Sequence, residues 1–158
     1  MSIQVGDTFP SLSLHVMGEN GPEAVTTDSL VKGKKVVLFA VPGAFTPGCS
    51  NTHLPGFVVH ADAIKAKGVD SIICTSVNDA FVMGAWGKNQ NAEEIIMLAD
   101  GVGELAKAVG LTQDLTGASL GIRSQRYAMI INDGVVELLN VDAKGIDQTS
   151  AETILEAL

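Results

Sequence analysis

A cysteine three residues after a threonine, on a stretch punctuated by prolines and glycines, is where this sequence concentrates its chemistry: Pro42-Gly43-Ala44-Phe45-Thr46-Pro47-Gly48-Cys49. An apolar run precedes the stretch and a helical pattern follows it, so Cys49 is expected in the first turn of a helix. Free backbone N–H groups and the positive end of the helix dipole favour an anion there, and a thiolate is such an anion. The chemistry this suggests is nucleophilic attack by sulfur. Thr46 can offer its hydroxyl to the sulfur or to an oxygen held beside it. Gly43 and Gly48 permit close turns of the backbone, while Pro42 and Pro47 stiffen its path.

Activation of a thiol has a size. A free thiol with a pKa of about 8.5 is only about 3% thiolate at pH 7, and reaching about 90% asks for roughly 3.4 kcal/mol. A helix terminus supplies about 0.3–1 kcal/mol, and up to roughly 2 in favourable sites. A cation is therefore required, and arginine is the side chain certain to stay charged when partly buried. An isolated cysteine is more often a small buried hydrophobe. The loop after a buried strand, where α/β sheets bind their ligands, favours the reactive reading for Cys49.

Other constellations are weaker. His53, four residues after Cys49, could share its helix face and suggest a Cys–His hydrolase, yet no third orienting residue is evident. Cys49, Cys74, His15, His53 and His60 match no zinc-ligand spacing, so no metal and no cofactor is expected. His53 and His60 read as polar helix residues. Thiol–disulfide exchange of the C-x-x-C kind is excluded by the T-x-x-C found here.

The elements that must position Cys49 follow from the apolar pattern. Leu12–Met17 reads as a strand ending at the turn Gly18–Pro22. Val36–Val41 and Ser71–Val77 are continuous apolar runs of the kind that form central parallel strands, and Ile95–Leu98 is a shorter one. Tyr127–Ile131 and Val135–Val141 flank Asp133-Gly134 and predict a β-hairpin. Helices are expected over Cys49–Lys67 with a kink at Pro55, from Asn78 or Asp79 to Lys88, over Gly103–Val109 closing at Gly110, and from Thr149 or Ser150 to Leu158. Alternating strands and helices give an α/β chain, and 158 residues without repeat or linker suit one domain spanning 1–158.

Ten basic residues against eighteen acidic ones, a formal charge of −8, argue against nucleic-acid and anionic-membrane partners. No run approaches the roughly 18 apolar residues of a membrane span. The first residues carry neither a basic segment nor an apolar one of signal-peptide length, so the expected location is cytoplasmic.

Three segments resemble one known family. Pro42–Ser50 followed by Thr52-His53-Leu54-Pro55-Gly56-Phe57 closely resembles the active-site segment of type II (atypical) peroxiredoxins. Ser76–Trp86, and Arg126-Tyr127-Ala128-Met129 leading to Asn132-Asp133-Gly134, are similar to two further signatures of that subfamily. The resemblance implies a thioredoxin-like fold with a central mixed β-sheet flanked by helices, a homodimer, and reduction of hydrogen peroxide and alkyl hydroperoxides. The family's P-x-x-x-T-x-x-C pattern falls on Pro42, Thr46 and Cys49, with Pro42 shielding the sulfur from water. Its catalytic arginine falls on Arg126, preferred over Arg123 because a strand start is a more fixed position than a Gly-rich loop. Cys49 would then pass to a sulfenic acid.

What restores the thiol stays open. In plant-like members a second, resolving cysteine lies at the position of Cys74. Here Cys74 sits three residues before the apolar run ends, roughly 10 Å at about 3.3 Å per residue, whereas a disulfide needs Cα atoms within about 7 Å. Cys74 is thus a resolving thiol or a core thiol. The resemblance favours glutathione with glutaredoxin as donor, with thioredoxin as the other candidate. The rival to an enzyme is a non-catalytic peroxide sensor or holdase using the same Cys49. Phe45, Phe81 and Trp86 could then be apolar anchors for a partner, although dimer contacts or core packing account for them as well.

Overall fold

The computed structural model describes residues 2–158. Its centre is a seven-stranded mixed sheet in the order β2-β1-β5-β4-β3-β8-β9. The strands are β1 (Ser13–Gly18), β2 (Gly21–Thr26), β3 (Lys35–Ala40), β4 (Ser71–Ser76), β5 (Ile95–Ala99), β8 (Arg126–Asn132) and β9 (Val135–Asp142), and a separate ribbon pairs β6 (Thr112–Asp114) with β7 (Ile122–Ser124). The helices are α1 (Thr27–Val31), α2 (Leu54–Ala66), α3 (Ala80–Asn89), α4 (Glu104–Val109) and α5 (Ala151–Ala157). Strands β3, β4 and β5 run parallel, while β8 joins β3 antiparallel.

The continuous apolar runs are central because both of their faces are covered. Val37, Phe39 and Val41 point with Ile72 and Cys74 into a cluster filled by Leu54 and Phe57 of α2, Trp86 of α3 and Ile154 of α5. Val36, Leu38 and Ala40 point the other way, with Ile73 and Tyr127, onto Leu105 and Val109 of α4. Each Val, Leu, Ile or Phe among them is worth about 1.5–3 kcal/mol when fully buried. The period-two alternation therefore fixes the register of β3, and with it the strand end that leads to Cys49.

Strands β2, β6 and β7 and helix α1 were not anticipated. Strand β2 carries Pro22 and is mostly exposed, and it lies at the sheet edge, the place a proline can occupy. Helix α1 is five residues long, too short to show a helical period. Each strand of the β6–β7 ribbon is only three residues long. The hairpin of β8 and β9 turns as expected, with Asp133 at φ 49° and Gly134 at φ 79°, as a type I′ turn requires. Asp79 caps α3 by accepting from Val82 N–H, Gly110 closes α4 in the left-handed conformation, and Ser150 caps α5.

The helix expected over Cys49–Lys67 arrives in two parts. Cys49–His53 is a π-helical turn in which Leu54 N–H bonds back to the Cys49 carbonyl, and α2 continues from it. Pro55, which has no N–H to offer, falls in the first turn of α2. The disturbance expected at this proline thus takes the form of a widened turn just ahead of it, a form often found at functional sites.

Candidate active site

The loop from Pro42 to Gly48 leaves the end of β3 and is fixed at several points. Val41 N–H bonds to the Thr75 carbonyl at 3.1 Å, continuing the strand pairing. Asn78 Oδ1 accepts from Ala44 N–H at 2.9 Å and from the Ser76 hydroxyl at 2.6 Å, tying the loop to the end of β4. The Thr46 hydroxyl donates to the Gly43 carbonyl at 2.6 Å. Its only proton is thereby used, so towards the site Thr46 is a hydrogen-bond acceptor. Ser50 N–H bonds to the Thr46 carbonyl at 2.9 Å and Ser50 Oγ accepts from the Trp86 indole at 2.9 Å, which anchors the π-turn to α3.

Cys49 is 1% exposed. Arg126 Nη2 donates to its sulfur at 3.2 Å, and Arg126 Nη1 lies 2.6 Å from His53 Nδ1. Arg126 therefore reaches the sulfur from the first position of β8. Arg123 does not: its Nη1 donates to the Pro42 carbonyl at 3.2 Å and its Nε to the Leu120 carbonyl at 2.8 Å, so it braces the loop. The brace needs a glycine beneath it, since a Cβ at Gly43 would sit 2.9 Å from Arg123 Nη1 and 3.0 Å from Thr46 Cγ2.

His53 departs from its expected role as a polar helix residue. It is 1% exposed, packed beside Phe39 and Phe57 with ring centroids 4.9 and 5.7 Å away. Its Nε2 lies 2.8 Å from the Thr149 carbonyl, which can only accept. The ring is therefore the neutral Nε2–H tautomer, and Nδ1 accepts from the Arg126 guanidinium. Burial is the main force lowering the His53 pKa to about 4; Arg126 lowers it too, against the Thr149 carbonyl and Asp142, which raise it. Both ring nitrogens are engaged away from the sulfur, which removes His53 as a base for a Cys–His hydrolase. His60 does match its expected role, half-buried on α2 with Glu152 Oε1 3.1 Å away. Among the described residues, no three His, Cys, Asp or Glu side chains gather in a way that could hold a metal ion.

Cys74 lies mid-strand in β4, paired with Phe39 and Met97 on its neighbours, and is fully buried. Burial pushes its thiol well up, and the charge of Cys49 adds to the shift while Arg126 opposes it. Both cysteines are free thiols. Trp86 is fully buried, which makes it core, whereas Phe45 and Phe81 are 52% and 64% exposed. Phe45 is held at φ 64°, a left-handed conformation that is rare for a bulky residue. A pocket of about 520 Å³ opens over Arg126, between Pro42, Gly48, Leu115, Lys144 and Ile146.

His53 and Asn78 are the site residues that pattern reasoning did not assign. The one signal for His53 was its place four residues after Cys49, and the partner that gives it meaning is Arg126, far along the chain.

Comparison with known proteins places this geometry. A Redoxin family profile matches residues 4–155. The chain is 47% identical to Peroxiredoxin-2D of Arabidopsis thaliana, covering 99% of this chain and 98% of that one. It is also 47% identical to the chloroplastic Peroxiredoxin-2E of the same plant, covering 99% of this chain and 70% of that one. The crystal structure of reduced Prx3 in complex with H2O2 from Vibrio vulnificus superposes with a TM-score of 0.95 at 57% identity, covering 98% of each chain. The cysteine, the arginine on its sulfur and the mixed sheet beneath them thus sit in a chain that belongs to the Redoxin family, as a type II peroxiredoxin of the thioredoxin-like superfamily, a group of thiol peroxidases.

Proposed function

We propose that Cys49 is the peroxide-attacking residue and that the protein reduces hydrogen peroxide and alkyl hydroperoxides. The observation that carries this reading is the Arg126 Nη2 to Cys49 sulfur contact at 3.2 Å. A fixed cation donating to the sulfur stabilises charge at the reacting centre. The thiolate attacks one peroxide oxygen, the O–O bond breaks, and the electron pair leaves on the distal oxygen. That oxygen takes a proton and departs as water or an alcohol, and Cys49 becomes a sulfenic acid.

Each neighbour has a role in this step. The guanidinium stabilises charge as it moves onto the leaving oxygen. Thr46, as an acceptor, holds a peroxide O–H, and Pro42 screens the sulfur from water. Together they align the two oxygens with the sulfur.

The sulfenic acid is returned by an external thiol. One thiol forms a mixed disulfide with Cys49 and releases water, and a second reduces it to the free cysteine. Glutathione with glutaredoxin, or thioredoxin, supplies these electrons. Full burial of Cys74 within β4 favours an external donor over an internal disulfide. The exposed rings of Phe45 and Phe81, on the loop and helix beside the site, suit burial in a homodimer. A cytoplasmic location completes the reading.

Peroxide consumption with each donor system, in wild type, Cys49→Ser and Cys74→Ser, tests it. Turnover should vanish in Cys49→Ser and persist in Cys74→Ser with glutaredoxin. Wild-type turnover in Cys49→Ser would overturn the assignment. A single equivalent of peroxide consumed per chain with every donor would indicate a sensor instead.

A further inference from the structure

Behind the site lies a carboxylate that the reaction described above does not use. Asp142, the last residue of β9, is 8% exposed. Its Oδ2 accepts from Asp147 N–H at 2.9 Å, Thr149 N–H at 2.9 Å and the Thr149 hydroxyl at 2.7 Å, and its Oδ1 accepts from Gln148 N–H at 3.2 Å. These four donors close the turn between β9 and α5 onto one side chain. The turn ends at Thr149, which is fully buried and whose carbonyl accepts from His53 Nε2. Asp142 also faces Arg126 in the β8–β9 register, but its oxygens are directed at the turn.

Resting on the peroxidase reading of Cys49, we propose that Asp142 is a positioning residue for that site. Its carboxylate builds the turn that sets the Thr149 carbonyl against His53. His53 then presents Nδ1 to Arg126, and the guanidinium is left with one orientation on the sulfur. Asp142 thus acts through three intermediaries, Thr149, His53 and Arg126, and none of its own contacts reaches the reacting atoms. The chain of contacts is directional: a backbone carbonyl dictates the tautomer of a neutral ring, and the tautomer dictates which nitrogen can receive the arginine. The same arrangement orients ligands at metal sites, where outer residues fix the working groups.

The test uses the full-length protein and rapid-mixing kinetics. In Asp142→Asn the amide nitrogen cannot accept, so one side of the turn loses its partners. The rate of Cys49 with hydrogen peroxide should fall on the order of 10-fold to 100-fold, the scale of a small misplacement at a reacting centre. The rate with iodoacetamide, which does not require two oxygens to be aligned, should fall less. Asp142→Glu should recover part of the loss. In a His53→Leu background, Asp142→Asn should add nothing further, because the two act in series.

A full multiplicative loss in the double variant, or an unchanged peroxide rate in a folded Asp142→Asn protein, would overturn the proposal. Should that variant fail to fold, Thr149→Val removes one of the four bonds and should give a smaller loss. Nitrogen NMR of the wild type provides a check independent of any variant: His53 must carry its proton on Nε2, and a proton on Nδ1 would refute the link. If wild type consumes no peroxide at all, the peroxidase reading fails, whereas the NMR and iodoacetamide results still judge the connection from Asp142 to the sulfur.

Discussion

The Arg126 guanidinium gives one amino group to His53 Nδ1 at 2.6 Å and the other to the Cys49 sulfur at 3.2 Å. A histidine can accept from arginine only while neutral, so burial of His53 is part of the same device. A planar fork held at both tips has little rotational freedom. The sulfur consequently meets a cation that is already in place when peroxide arrives.

Replacing Arg126 with lysine should therefore be costly although the charge is kept. A single ammonium cannot reproduce a planar fork spanning ring nitrogen and sulfur. We expect the second-order rate with peroxide to fall on the order of 100-fold, about the loss caused by removing one aligned donor at a reacting centre. Arg123→Lys, which disturbs the bonds to the Pro42 and Leu120 carbonyls but none to the sulfur, should lose less. Equal losses in the two variants would mean that contact with the sulfur is not what matters.

His53 should leave a mark on acid stability. Its pKa is lowered from 6.5 to about 4 in the folded chain. Below pH 6.5 the unfolded chain takes up a proton that the native one refuses, so stability falls as pH drops through this window. The loss between pH 6.5 and 4 comes to about 3 kcal/mol from this group. Urea unfolding at several pH values should show a flatter acid limb for His53→Leu than for wild type. Parallel curves would count against a buried neutral ring.

Gly43 and Gly48 flank the same loop but should respond differently to alanine. At Gly43 a Cβ would press on Arg123 and Thr46 at 2.9–3.0 Å, whereas at Gly48 it would rest 3.5 Å from Arg126 Nη2 and 3.7 Å from Ile146 Cδ1. Gly43→Ala should lower both thermal stability and peroxide rate. Gly48→Ala should leave stability nearly unchanged, and steady-state kinetics should show a rise in KM for bulky hydroperoxides as the pocket narrows. A larger stability loss at Gly48 than at Gly43 would contradict this account.

Tyr127 places a fully buried hydroxyl, without a hydrogen-bond partner among the described residues, on the sheet face away from Cys49. An unmet buried hydroxyl costs about 1–3 kcal/mol. Tyr127→Phe should raise the urea midpoint and leave peroxidase activity alone. A lowered midpoint would reveal a partner, such as an internal water, that holds this hydroxyl.

The sheet was legible in the sequence where burial on both faces leaves no alternative to an apolar run. Val36–Val41 and Ser71–Val77 came within a residue or two of β3 and β4, and Asp133-Gly134 marked the hairpin. Edge strand β2 was not legible, because a mostly exposed strand containing Pro22 carries no such run. Thr46 and Cys49 stood out through residue type and local spacing, and Pro42 and Arg126 through the resemblance of their segments to a known family. His53 did not, for its partners Arg126 and Thr149 lie 73 and 96 residues away, and only the folded sheet brings them to the ring. Residues that act through distant partners leave no periodic trace.

The π-turn at the head of α2 makes the hydrogen-bond pattern itself a constraint. Leu54 N–H reaches back to Cys49 over one residue more than an α-helix would use. Were the same residues to close as ordinary α-helix, Leu54 N–H would bond to Ser50 instead, and Cys49 would swing about 100° around the axis relative to α2, away from Arg126. Asn51 and Thr52 are exposed, so many side chains are admissible there, whereas the width of the turn is what keeps the sulfur on the guanidinium.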